Sequence, residues 1–340
     1  MLLLNSTGSE GLLGNSSDAE QYNVERVLVP ILDVLILVLG VGGHTMVIVI
    51  LCGRRRSGVA QCPQSSMTGT GTDSLLLALS AADLLLLSVL PFHTTAIAMQ
   101  RWPFGNFMCC LVGFLGSAWS SASAFTLAIL AVSRYLTVVK PTRAFSLLSP
   151  RRVCIATMIL WVVAFGLAAP QLVFRIVGSI HRTHESLICF AFLSHQDQVI
   201  YGLLHFIVGF LLPLVTIAVA YGSIYMFLLK RQHAGGAPQV ERHQSKVTMT
   251  SAMLVLAFAV CWLPSYGLTL ALLSDESSGA TGASPRYSSF SVFSRLMATS
   301  STVVNPILYV LMSQKFRQDL LRLFKRGGQT ARVAVAMATA

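Results

Sequence analysis

Two of the seven long apolar stretches in this chain carry a proline in their body, in Cys261-Trp262-Leu263-Pro264 and in Asn305-Pro306-Ile307-Leu308-Tyr309. A proline inside a helix removes a backbone hydrogen bond and pushes against the carbonyl one turn earlier. In hydrocarbon no water repairs that damage, so such prolines persist only beside polar side chains or a wet cavity. Trp262, Asn305 and Tyr309 flank the two breaks. The pattern reads as a pair of hinges lining a wet interior, in a chain that can change shape across a bilayer.

The seven stretches are residues 27–51, 73–99, 107–139, 153–173, 197–229, 246–273 and 287–312. A helix crosses the hydrocarbon core with about 20 apolar residues, and the longer stretches allow tilting. With 54% apolar and only 11% charged residues, a water-soluble fold is disfavoured. No internal repeat or separate soluble domain is visible. The expected fold class is therefore an all-α membrane protein, a seven-transmembrane helix bundle. A transporter or channel would show repeat symmetry or a charged pathway across the bilayer, and neither is present.

Most of the 24 Lys and Arg residues fall on one side if the N-terminus is outside, among them Arg54, Arg55, Arg56, Arg134, Lys140, Arg143, Arg151, Arg152, Lys230, Arg231, Lys315 and Arg317. That asymmetry is the positive-inside signal. It predicts a multi-pass protein with an extracellular N-terminal tail over residues 1–26 and a membrane domain over 27–312. The formal net charge of +11 is concentrated beside the spans. It therefore points to membrane lipids of the inner leaflet, and no nucleic acid is expected. The tail carries glycosylation sequons at Asn5 and Asn15, and the short apolar start at residues 1–4 does not read as a cleaved signal. Cys189 lies in the long loop before the fifth span, on the same outer side as Cys109 and Cys110, so a bridge to either is open. Cysteine and histidine spacing predicts no metal site and no cofactor, and the hydroxyl, His and acidic residues form no recognisable catalytic set. The chain is not expected to be an enzyme.

Several motifs in order resemble the rhodopsin-like (class A) G-protein-coupled receptors. They are Leu79-Ser80-Ala81-Ala82-Asp83, Trp102-Pro103-Phe104-Gly105 before Cys109, Ser133-Arg134-Tyr135, Trp161, Pro213 with Tyr221, and the two proline motifs. The likeness covers residues 27–326. It implies a plasma-membrane receptor that signals to a heterotrimeric G protein, and it selects Cys109 over Cys110 as the partner of Cys189. After the seventh span, Lys315-Phe316-Arg317 opens a segment over 313–326 similar to the family's short amphipathic eighth helix. A cytoplasmic tail follows over 327–340. Its hydroxyls, Thr330 and Thr339, make arrestin a further candidate partner with a sparse phosphorylation target.

The resemblance assigns activation and coupling to Ser133, Arg134, Tyr135, Tyr221, Pro264, Asn305, Pro306 and Tyr309. It groups Asp83, Ser123 and Asn305 around an oxygen-lined pocket, read either as a sodium site or as a water-mediated polar network. Trp119, one turn before Ser123, is expected to crowd that pocket. Two positions depart from the family: His44 follows Gly43 where Asn is usual, and Ser133 stands where an acidic residue normally precedes Arg134. His44 then joins the network around Asp83. Ser133 removes a restraint on Arg134, which implies raised basal activity.

Gly116 occupies the position at which amine receptors hold an Asp, and no Lys lies within the seventh span to form a retinal Schiff base, so both ligand classes are disfavoured. Arg295 in the seventh span needs an anionic partner. Two readings stand: an ion pair with Asp33 of the first span, or an acidic group or carbonyl from a ligand. The remaining pocket candidates are Phe92, His93, Ser117, Gln171, His205, Trp262 and Tyr266, which suit a peptide. Arg101-Trp102-Pro103-Phe104-Gly105, the Ser123–Ala128 run, Lys246-Val247-Thr248 and Cys261-Trp262-Leu263-Pro264 are most similar to galanin receptors, with kisspeptin and allatostatin receptors near. The expected function is a neuropeptide receptor of galanin-like type. The rivals are a scavenging peptide receptor without G-protein coupling and a receptor for a small acidic metabolite.

Overall fold

The computed structural model describes residues 10–58, 67–178, 187–191, 195–233, 253, 256–272, 288–312 and 316–322, with side chains over most of that range. Asn5, the side chains of Asn15 and Tyr309, and the tail over 327–340 lie outside it.

Apolar composition makes the helices, and proline or glycine shapes them. The first runs Glu10–Gly58, beginning well before the apolar stretch at Val27. The second spans Met67–Leu87 and resumes at Leu90–Met99, with the chain turning at Ser88 and Val89 just ahead of Pro91. Ser88 Oγ donates to the Leu85 carbonyl at 2.6 Å, covering a group released by that break. The third helix, Gly105–Val139, is the long central one, with a continuous buried run from Ser120 to Ala128. The fourth is Pro150–Ala168, followed by a short turn at Gln171–Phe174.

The fifth helix starts at His195, widens to a π-helix over Phe206–Leu211, and continues from Leu212 to His233. The wide turn lies directly ahead of Pro213, where the ordinary ladder must break. The sixth and seventh helices are Leu256–Leu272 and Ser288–Met312. Five of the helices are long and apolar enough to cross a membrane by length and composition alone. Their outward faces expose Val38, Phe107, Val162, Val173 and Val219, as a lipid-facing surface should. Residues 316–322 form a further helical stretch, with Phe316 buried against the core and Arg317 and Arg322 exposed.

A small antiparallel hairpin, which the apolar pattern does not reveal, joins the fourth and fifth helices: β1 (Arg175–Gly178) pairs with β2 (Ile188–Ala191), Val177 opposite Cys189. The Cys109–Cys189 disulfide pins it to the start of the third helix, with a Cα–Cα distance of 5.6 Å. Val177 N–H donates to Asn106 Oδ1 at 2.9 Å, and Trp102 N–H donates to the Leu187 carbonyl at 2.7 Å. Cys110 stays a free thiol, 3.0 Å from the Arg175 carbonyl.

The first and seventh helices are joined by charge. Arg295 Nη1 and Nη2 meet Asp33 Oδ1 and Oδ2 at 3.1 and 3.0 Å, a two-pronged pair, and Thr94 Oγ1 donates to the same carboxylate at 2.9 Å. Of the two readings of Arg295, the structure realises the pair with Asp33. Such a fork is strong when desolvated, and removing one side strands a charge. Asp33→Ala should cost about 3 kcal/mol, measured as a lower unfolding midpoint of the solubilised protein. The exchange Asp33→Arg with Arg295→Asp should recover most of the loss. A double variant no better than the single one would mean that the pair does not hold these helices.

Candidate functional site

Midway along the bundle, Pro306 sets the geometry of a polar centre. Lacking an N–H, it leaves the carbonyl of Thr302, one turn earlier, without its helical donor. His44 of the first helix fills that role, with Nε2 2.8 Å from the Thr302 oxygen. A carbonyl only accepts, so Nε2 carries the proton. The approach depends on Gly43, because a Cβ there would fall 2.7 Å from Pro306 Cγ. The same Nε2 lies 3.4 Å from Asp83 Oδ2.

Asp83 is buried, and its carboxylate is closed by neighbours on two further helices. Ser123 Oγ donates to Oδ1 at 2.9 Å, and Asn305 Nδ2 donates to Oδ2 at 2.6 Å. His44, Asp83, Ser123 and Asn305 therefore do come together, each from a different helix. The resemblance leaves two readings here, a sodium site or a water-mediated polar network; a hard cation seeks oxygen lone pairs, and the groups aimed at Asp83 in this structure are N–H and O–H donors. Trp119 packs on the fourth helix, with ring centroids 5.6 Å from Trp161 and 4.9 Å from Phe165.

Towards the hairpin end, the pocket candidates fall into connected groups. Ser117 Oγ is 2.9 Å from His205 Nε2, and the His205 ring stacks on Tyr266 at 6.0 Å. From Tyr266 the aromatic contacts continue to Phe210 at 4.4 Å and to Trp262 at 6.3 Å, and Trp262 meets Phe258 at 5.9 Å. Trp262 Nε1 also donates to Ser301 Oγ at 3.2 Å, tying the sixth helix to the seventh one turn ahead of Asn305. Ser265 Oγ repeats the tie higher up, donating to the Ser294 carbonyl at 3.0 Å. Phe92 and His93 form a separate group with Phe104 and Trp102 at 5.1 and 6.4 Å.

Gln171 bridges two residues that the sequence reading missed. Its Nε2 donates to Tyr201 Oη at 3.1 Å, and its Oε1 accepts from Arg175 Nε at 2.6 Å. Arg175 lies across Gly113 of the third helix, where a Cβ would sit 2.3 Å from its Cδ. Burial pulls its pKa below the ordinary guanidinium value. The signal available in the sequence was an arginine just past the fourth span, beside Ile176 and Val177, with a glycine about two turns into the facing helix.

At the opposite end Ser133 Oγ donates to the Leu130 carbonyl at 2.7 Å, turning into its own helix rather than holding Arg134. Tyr135 and Tyr221 pack against the main core. The side chain of Tyr309 lies outside the described residues.

The sequence profile of the 7 transmembrane receptor (rhodopsin family) matches residues 45–309. Galanin receptor type 3 of Homo sapiens is 30% identical over 309 residues, covering 90% of this chain and 80% of that receptor. Galanin receptor 2b of Danio rerio is 27% identical over 313 residues, 91% and 78% of the two chains. Somatostatin receptor type 1 of Rattus norvegicus is 26% identical over 300 residues, 87% and 71%. The Cys109–Cys189 bridge, the seven helices and this match agree, and the chain belongs to the rhodopsin family of seven-transmembrane receptors, a multi-pass membrane receptor and not an enzyme.

Proposed function

We propose that this chain is a plasma-membrane receptor for a neuropeptide of galanin-like type, with the hairpin end outside and the Arg134 end facing a heterotrimeric G protein. The observation that carries the reading is the aromatic column from His205 through Tyr266 to Trp262 and Phe258. It links the outer polar pocket to the proline-broken part of the sixth helix, where a change in packing alters the helix below. A peptide favours the active arrangement only by binding it more tightly than the resting one. The 27–30% identity to galanin receptors over about nine-tenths of the chain supports the peptide class. Residues 1–26 then form the outer tail and 327–340 the inner one, with basic residues such as Lys140 and Arg143 meeting transducer or lipid.

G-protein dissociation in cells displaying the receptor, recorded across galanin-, kisspeptin- and allatostatin-like peptides, tests the reading. A saturable response should appear and be lost in Arg134→Ala. Peptide binding without any response would favour a scavenging receptor, the reading that Ser133 supports. In the same assay, Ser133→Asp should lower basal activity by about fivefold; unchanged basal signalling would remove Ser133 as a cause of constitutive activity.

We infer further that the polar centre works without sodium, because His44 supplies the positive edge facing Asp83. The unfolding midpoint of purified receptor should be the same in sodium chloride and in choline chloride at equal ionic strength. His44→Asn should restore a sodium-dependent rise of about 3 °C. A wild-type midpoint that rises with sodium would show that the ion binds beside His44.

A further inference from the structure

Arg175 stands out among the cationic groups of the outer pocket, because no carboxylate is paired with it among the described residues. Arg295 spends both of its Nη groups on Asp33. Arg175 donates Nε–H to the neutral Gln171 at 2.6 Å, and its Nη1 reaches only the Cys189 sulfur, at 3.7 Å. No protein acceptor meets its Nη2 among the described residues. A guanidinium is a fixed planar set of donors that is always charged, and its best complement is a carboxylate taken by two parallel bonds. Leaving it partly desolvated without that complement is costly.

The surroundings hold this group in place rather than hide it. Gly113 allows the side chain to lie flat on the third helix, Gln171 fixes Nε, and the disulfide to Cys109 anchors β2, the strand paired with the one that carries Arg175. Both Arg175 and Arg295 lie within electrostatic reach of His93, but Asp33 neutralises Arg295 and not Arg175, being committed to Arg295 and Thr94.

We propose that Arg175 receives a carboxylate of the bound peptide, an acidic side chain or a free C-terminus. The inference rests on the peptide-receptor reading above. It makes Arg175 a specificity-determining residue, one that selects acids over the isosteric amides.

The test is affinity selection on purified full-length receptor in lipid nanodiscs. The probe is a mixture of short synthetic peptides made in matched pairs, Asp against Asn, Glu against Gln, and free against amidated C-terminus. Peptides retained by the wild type should favour the acid member by about tenfold, and Arg175→Gln should abolish the preference. Gly113→Ala gives an independent check if Arg175→Gln folds poorly. The added methyl displaces only the flexible end of Arg175 and keeps its charge, so it should weaken the preference while the unfolding midpoint stays near wild type. Retention of acid and amide members alike by the wild type would overturn the inference and leave the peptide reading standing. A preference kept in Arg175→Gln would overturn it too, moving the carboxylate to another cation. Retention of no peptide in either set would bring down the peptide reading, and this inference with it.

Discussion

The carbonyl that Pro306 leaves without a helical donor is the constraint from which the centre of this bundle follows. In water such a group would simply be hydrated; at membrane depth it must find a donor in the protein. His44 provides it from another helix, and Gly43 provides the close approach that lets His44 reach. The imidazole edge then lies beside Asp83, whose two carboxylate oxygens accept one bond each from Ser123 and Asn305. One break in one helix thereby draws the first, second, third and seventh helices to a single point. Apolar packing alone does not do this in a bilayer, since lipid tails are as apolar as the side chains.

The same economy of polar groups decides which parts of the bundle are fixed and which can move. The first and seventh helices share a charged fork and the polar centre, and the third is held to the hairpin by a disulfide. The sixth helix is tied to the seventh by lighter bonds, hydroxyl to carbonyl at Ser265 and indole to hydroxyl at Trp262. Neutral bonds of this kind are worth about 1 kcal/mol each, small enough to be exchanged in a rearrangement of the aromatic column. The widened turn before Pro213 places Phe206 and Phe210 against Tyr266, so the fifth helix has a stake in the same column.

Much of this was legible from the sequence, for reasons that differ by feature. Spans are read from apolar length, because hydrocarbon thickness is a ruler. The grouping of Asp83 with Ser123 and Asn305 came from the family resemblance, and that of Arg295 with Asp33 from the cost of a lone charge in lipid. The contacts of Trp119 with Trp161 and Phe165 could not be placed that way, because a helix spacing gives a face only approximately. The hairpin and the π-helical turn were missed because their strand and turn signals are a few residues long and sit inside or beside much stronger apolar runs. Arg175 was missed for a related reason, since it becomes informative only when Gly113, Gln171 and Cys189 are seen around it.

His44 and Ser133 depart from the family at opposite ends of one lever. An ion held by Asp83 would come and go with the solution, and its affinity would add a term that depends on salt. On the proposed reading, a tethered imidazole makes the corresponding stabilisation part of the chain, constant wherever the receptor is placed. At the other end, Ser133 spends its hydroxyl on its own helix, so the restraint that an adjacent carboxylate would place on Arg134 is absent. On the proposed reading, the balance between resting and active arrangements is set by side chains on the third and first helices rather than by ions, and the peptide need supply only the difference in packing along the column from His205 to Phe258.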